Sequence, residues 1–153
     1  MDIQLVIFRL SGENYGVDVH QVQSIIPVQE IATVPGVPPF VEGVINLRGD
    51  VVPVVDLRTR FDLPAQEVQK RVIVIVEVNG LLVGLVVDKV LEVTKIADTA
   101  VDPPSPLLTN INTSYLRGIG KINEDDILIL LDLNRIFSVD EYDAMEHALL
   151  VEN

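Results

Sequence analysis

Leu5-Val6-Ile7-Phe8-Arg9-Leu10-Ser11-Gly12-Glu13-Asn14-Tyr15-Gly16-Val17-Asp18-Val19-His20-Gln21-Val22 lies on Ile73-Val74-Ile75-Val76-Glu77-Val78-Asn79-Gly80-Leu81-Leu82-Val83-Gly84-Leu85-Val86-Val87-Asp88-Lys89-Val90 at a constant offset of 68. The alignment runs on to Val28 and Ile96 and keeps both pairs of glycines, Gly12 with Gly80 and Gly16 with Gly84, in register. A chain rich in Val and Ile matches itself at apolar positions by chance, but paired glycines at equal spacing are the mark of duplication. A second block follows: Gly43-Val44 answers Gly118-Ile119, and Val54-Val55-Asp56-Leu57 answers Leu130-Leu131-Asp132-Leu133, ending in Phe61 and Phe137 at an offset of 75 or 76. The added length lies between Ile96 and Gly118, where Asp102-Pro103-Pro104-Ser105-Pro106 marks an irregular connection.

Each copy reads as a small β unit. Residues 3–10 predict a strand, Ser11-Gly12-Glu13-Asn14 a turn, and 15–19 the return strand. Residues 72–78 run into Asn79-Gly80, the dipeptide a type I′ hairpin favours because both positions need positive φ. Residues 44–47, the turn Arg48-Gly49-Asp50 and residues 51–55 predict another hairpin, with Pro53 at an edge or a bulge because it lacks a ladder donor. In 19–26 and 87–93 apolar residues recur three apart, which predicts about two helical turns in each. Residues 57–61 and 133–137 predict single helical turns capped by Asp56 and Asp132, whose carboxylates suit orphan N–H groups better than acid–base work. Tyr142, Met145 and Leu149 predict a terminal amphipathic helix over 140–150.

A period near 70 is too long for a solenoid and suits two pseudo-symmetric five-stranded β-barrel lobes, which hide the sheet edges that a chain of this composition cannot leave open. The fold class is therefore mostly β, with short helices and a C-terminal helix. The expected division is one unit over 1–138, with lobe 1 about 10–70 and lobe 2 about 71–137 plus 3–9, followed by a helical tail over 139–153.

Composition narrows the function. The 153 residues include 41 Val and Ile against 6 Ala, and 48% are hydrophobic, enough for a proper core. The net charge of -12 has the wrong sign for a phosphate-neutralising surface, and four Phe, three Tyr and no Trp leave little for base stacking. No cysteine is present, which removes disulfides, thiolate metal sites and thiol nucleophiles and suits a reducing compartment. Neither a signal peptide nor a membrane-spanning stretch is expected, because the N-terminus lacks a basic region and the longest apolar run, 81–87, is far short of about 20 residues.

A nucleophile, base or metal cage is equally hard to find. His20 and His147 are the only histidines and neither belongs to a paired-ligand motif. Gly118-Ile119-Gly120 continues without a third phosphate-loop glycine, and Glu124-Asp125-Asp126 reads as a solvated turn. The chain is expected to hold no catalytic residue, no metal and no cofactor. Arg48 stands apart as a cation projecting from a turn beside an apolar strand, placed equally well for an interface anchor or for a surface salt bridge.

At Gly43-Val44-Ile45-Asn46-Leu47-Arg48-Gly49, followed by Val52-Pro53-Val54-Val55-Asp56-Leu57-Arg58, the sequence resembles the CheW family of bacterial chemotaxis coupling proteins. Phe8-Arg9-Leu10 through Tyr15-Gly16-Val17-Asp18, Val83-Gly84-Leu85-Val86-Val87-Asp88-Lys89-Val90 and Leu128-Ile129-Leu130-Leu131-Asp132 extend the likeness from about Ile3 to Phe137. The resemblance implies paired barrels, with the first strand packed into the second lobe. It also implies a non-enzymatic cytoplasmic adaptor, recruited to membrane chemoreceptor arrays, that joins the cytoplasmic tips of methyl-accepting chemoreceptors to the regulatory domain of the histidine kinase CheA. Carried over by position, it implies a receptor groove at Val6, Val19, Val22, Ile25 and Val90 with Gly43 and Arg48 at the rim, and kinase contacts at Ile31, Val101, Pro103 and Leu107. Ser24 departs from the acidic residue common there. A pilus or twitching coupling protein and the coupling domain of a CheV-like protein share the pattern. From a different class, a small-ligand or nucleic-acid-binding β-barrel is the alternative, disfavoured by charge and by the shortage of aromatics.

Overall fold

Alternating and continuous runs of Val, Ile and Leu fold into strands wherever glycine or asparagine supplies the turn. In a computed structural model describing residues 1–64, 71–107, 109, 111–121 and 126–152, with side chains through His147, the order is β1 (Asp2–Leu10), β2 (Glu13–Asp18), β3 (Val22–Pro27), β4 (Val41–Leu47), β5 (Asp50–Asp56), α1 (Leu57–Arg60), β6 (Val72–Val78), β7 (Leu81–Val87), β8 (Lys89–Ala97), β9 (Leu116–Lys121), β10 (Ile127–Leu131) and α2 (Val139–Glu152). The turns Ser11-Gly12, Arg48-Gly49 and Asn79-Gly80 all place two successive residues at positive φ, the type I′ pattern that matches the strand twist. Asp56 and Asp132 do cap helical turns, accepting from the Arg58 and Asn134 N–H groups. The Glu124-Asp125-Asp126 turn lies outside the described residues apart from Asp126, which is exposed.

Two five-stranded sheets result, ordered β8-β1-β2-β10-β9 and β3-β6-β7-β5-β4. The two orders are the same when each strand is replaced by its repeat mate. Each sheet takes three strands from one copy and its leading hairpin from the other: β1–β2 joins β8, β9 and β10, while β6–β7 joins β3, β4 and β5. The expected lobe boundaries are therefore corrected. The exchange carries β2 as well as β1 into the second lobe, and residues 72–87 belong to the first. The joints are antiparallel on one side of each hairpin and parallel on the other, β2 with β10 and β5 with β7.

The chain crosses between sheets at a single 3-10 turn, Val19–Gln21, and again at Asp88. The two helical pairs of turns expected there are replaced by edge strands, β3 and β8. The spacing of three that suggested them arises from that 3-10 turn and from bulges, at Gln23 in β3 and at Leu91 in β8, which shift the side-chain phase by one residue. Pro53 is likewise not at an edge, since β5 lies between β4 and β7. Its partner Val44 spends both its N–H and its C=O on Ala32, so the Val44–Pro53 pair is not hydrogen-bonded. The β7 ladder begins only at Val54, so no donor is needed at Pro53.

Residues of alternate parity go to different cores. Leu5, Ile7, Leu128 and Leu130 fill the inside of one lobe, and Ile45, Val52, Val54, Ile73, Ile75 and Val86 fill the other. In each lobe side chains of the outermost strands converge on the interior: Ile26 of β3 shares the cluster of Ile45 on β4, and a Cβ on Gly120 of β9 would touch Ile96 of β8 at 3.3 Å, so each sheet curls around its own apolar filling while its outermost strands stay edges. The other faces pack against each other in one shared core holding Val6, Phe8, Val17, Val55, Val74, Val76, Leu85 and Ile129 among others. Central strands are thus buried on both faces, which explains their unbroken apolar runs.

All seven aromatic rings lie in or against the shared core, in a series Phe8, Tyr15 and Phe61, stacked, with Tyr115 tilted against Phe61, and a second group Phe40, Phe137, Tyr142. The C-terminal helix is not a separate tail. Met145 is fully buried in the same core, and Arg60 holds Glu141 through two hydrogen bonds of 2.8 and 2.9 Å while lying over the rings of Phe40 and Tyr115.

Candidate functional site

The seam between the lobes carries part of the apolar surface that folding leaves uncovered, the rest lying at Met1, Leu107 and Val139. Val22 on β3 and Val90 on β8 are repeat mates, both half-buried and packed against the shared core, and Val19 joins them from the crossover turn. Beside them the mates Ile25 and Val93 are 45% and 59% exposed, and Val28 and Leu91 are exposed as well. Both strands are sheet edges. In a chain of charge -12, Ile25, Leu91 and Val93 exposed on two symmetry-related edge strands, with Val28 just beyond one of them, form a patch that marks a contact surface.

Two of the residues assigned to that groove are elsewhere. Val6 is 2% exposed, deep in the shared core, because it alternates with Leu5 and Ile7 and so shares with Phe8 and Leu10 the face of β1 that meets the other lobe. Gly43 is buried at a lobe edge, where its missing side chain has a local purpose described below. Arg48 is exposed at the tip of the β4–β5 hairpin, at φ 53°, and has no ion-pair partner among the described residues. Val93, Leu91 and Val28 were missed in the sequence. The signal for Val93 was its register with Ile25.

Behind the seam, Asp88 ties the lobes together. One carboxylate oxygen accepts the Ser11 N–H at 2.9 Å, the other pairs with the buried Arg58 guanidinium, and Arg58 Nε donates to the Ser11 hydroxyl at 3.2 Å. Ser11 comes from the β1–β2 turn and Arg58 from α1, so the pair joins both sheets at the crossover. On the other crossover, Asp18 accepts from the His20 N–H and lies 2.9 Å from its ring. Burial pushes the Asp18 carboxyl up, but those two hydrogen bonds, the His20 ring and the Arg117 guanidinium outweigh it and hold the group below its usual range.

The residues assigned to the kinase form a second symmetric pair of features. Ala32 exchanges two hydrogen bonds of 2.9 and 2.8 Å with Val44 on β4, and Asp102 exchanges two of 2.8 and 2.9 Å with Ile119 on β9. Each short bridge covers an edge strand, and the preceding residues, Ile31 and Val101, are half-buried against their own lobe interiors. The close approach explains Gly43 and Gly118: a Cβ would fall 2.1 Å from the Ala32 carbonyl oxygen in one case and 2.6 Å from that of Asp102 in the other. Pro103 is exposed and Leu107 is 93% exposed.

Chemistry is sparse. Among the described residues no three His, Asp or Glu side chains gather at one point, and no helix is long and apolar enough to cross a membrane.

Comparison with known proteins gives concordant matches. The CheW-like domain family matches residues 4–141. The chemotaxis protein CheW of Treponema pallidum is 32% identical, over 90% of this chain and 84% of that protein. Its namesake in Klebsiella aerogenes is 34% identical over 90% and 83%. Among solved structures, the scaffolding protein TtCheW from Thermoanaerobacter tengcongensis superposes with a TM-score of 0.83 at 38% identity, covering 92% of this chain and 91% of that one.

Proposed function

This chain belongs to the CheW family, and on that premise we propose that its seam receives the cytoplasmic tip of a methyl-accepting chemoreceptor while its lobe ends engage the regulatory domain of a CheA-type histidine kinase. As a family member it is a chemotaxis adaptor. The observation that carries the proposal is the pair of symmetry-related edge strands with half-buried Val22 and Val90 and exposed Ile25 and Val93. Such a surface suits helix-in-groove recognition, where apolar burial supplies affinity and a rim cation such as Arg48 sets register.

The adaptor works without catalysis. Its task is to hold two partners at a fixed spacing, and the shared core, with seven aromatic rings and a buried ion pair across the crossover, gives the rigidity this requires. Ile31, Val101, Pro103 and Leu107 lie on the covering segments and the adjoining loop, outside the seam, so a kinase domain of related barrel architecture contacts a lobe end while the seam is filled. The site of action is the cytoplasm, at receptor arrays.

Calorimetric titration with a receptor signalling fragment and with the CheA regulatory domain, separately, tests the assignment. Val22→Glu places a charge on the apolar seam and Arg48→Asp reverses the rim; each is expected to weaken receptor binding about tenfold or more while leaving kinase binding within about twofold. Wild-type receptor affinity in both folded variants would put the groove elsewhere.

A further inference from the structure

The chain passes between the lobes at two equivalent corners, and they are held differently. Asp88 leads into β8 and its repeat mate His20 leads into β3, the two strands that carry the seam. At the first corner the Asp88 N–H donates to the Arg9 carbonyl at 3.0 Å. One carboxylate oxygen accepts the Ser11 N–H at 2.9 Å, and the other pairs with Arg58, whose Nε donates to the Ser11 hydroxyl. The pair lies deep, with the Arg58 side chain 7% and the Asp88 side chain 14% exposed. Val90 follows two residues later, so its place in the seam is fixed by α1 on one side and by the β1–β2 turn on the other.

At the matching corner stand His20 for Asp88, Asn79 for Ser11, Asn134 for Arg58 and Glu77 for Arg9, all exposed. The His20 N–H and ring both turn back to Asp18 at the start of the same turn. The Glu77 carbonyl, mate of the Arg9 carbonyl that takes a backbone N–H, accepts the Gln21 side-chain amide at 3.4 Å, and the Glu77 carboxylate accepts the Gln23 amide at 3.1 Å. β3 is also the shorter strand, six residues ending in Pro27, which has no N–H, against nine in β8. In other respects the strands match, since both are sheet edges with a bulge at the same place. Opening the β8 corner takes the Asp88 charge away from a buried guanidinium, which is costly. Opening the β3 corner breaks contacts at exposed positions, which water readily replaces.

We propose that Asp88, Arg58 and Ser11 are positioning residues for the seam: they hold its β8 half in place before a partner arrives, while the β3 half is set by the partner itself. The inference rests on the seam being the receptor site. A preformed half fixes register without an ordering cost, and an adjustable half closes on the helix surface that is presented to it.

Amide hydrogen exchange resolved to single residues tests the difference in the free chain. The ladder-bonded amides of β3 are expected to exchange about tenfold or more faster than those of β8, although both are edge strands. Saturation with a receptor signalling fragment should slow β3 about tenfold and leave β8 within about threefold. Asp88→Asn is expected to bring β8 to the exchange of β3 and to weaken the fragment about tenfold in calorimetry, with the CheA regulatory domain bound within about twofold of wild type. Ser11→Gly guards against misfolding, because it removes the hydroxyl that accepts from Arg58 while suiting the positive φ of 52° at that turn; its expected loss of receptor affinity is about threefold. Equal exchange in β3 and β8, or unchanged receptor affinity in both folded variants, overturns the inference and leaves the adaptor reading standing. A wild-type chain that does not bind the fragment overturns both.

Discussion

Gly43 and Gly118 show how much one missing carbon decides. Each lets a remote stretch of chain, 31–32 or 101–102, lie against an edge strand closely enough to exchange two hydrogen bonds. Gly43→Ala is expected to cost about 2 kcal/mol or more, because the obstruction is backbone and not a side-chain end that can turn away; thermal or urea unfolding measures it, and loss of protection at the Ala32 and Val44 amides localises it. Asp88→Asn tests a different dependence. It takes the Asp88 charge away from the buried Arg58 guanidinium, so a loss of about 3 kcal/mol is expected in denaturant titration, whereas Arg48→Ala, at an exposed position without an ion-pair partner among the described residues, stays within about 0.5 kcal/mol. The glycines were legible as repeat mates, and so was the prominence of Arg48. The purpose of Gly43 was not, because it depends on residues a dozen positions away, and Val6 was misplaced because apolar residues for a core and for a groove look the same in sequence.

At the next scale, α2 is held by local chemistry at its start and by burial farther on. Ser138 and Glu141 form a reciprocal capping box, the serine hydroxyl accepting the Glu141 N–H at 3.1 Å and the glutamate accepting the Ser138 N–H at 2.7 Å. Arg60 then clamps the same carboxylate, and Met145 is buried one helical turn on. A helix of this length is marginal alone, so Glu141→Ala, which removes cap and clamp together, is expected to raise amide exchange across 139–147 about tenfold or more while leaving β1 and β6 unchanged, as read by hydrogen exchange with mass spectrometry. The terminal helix was legible from Tyr142 and Met145 at a spacing of three. The edge strands β3 and β8 were not, since a bulge disguises a pleat as a helical period, and bulges are set by the ladder they join.

For the molecule as a whole, the reciprocal exchange of hairpins makes two lobes into one folding unit. Neither repeat can close a sheet alone: residues 1–64 lack the β6–β7 hairpin at the centre of their lobe, and residues 71–153 lack β1–β2. Separate fragments 1–70 and 71–153 are therefore expected to be unfolded by circular dichroism, and an equimolar mixture to regain the β spectrum and a single cooperative melt; a fragment that folds alone would contradict the exchange. Much of this chain was written in local terms. Turn dipeptides, strand composition, capping aspartates, the duplication and the family signature at 40–58 all depend on neighbouring residues or on a constant offset, which a linear reading preserves. Which hairpin enters which sheet, which valines face the seam and which the interior, and what the paired glycines accommodate were settled by packing. Two hairpins of the same apolar and glycine pattern fit either sheet by local propensity, and only burying both faces of the central strands at once selects the exchanged arrangement.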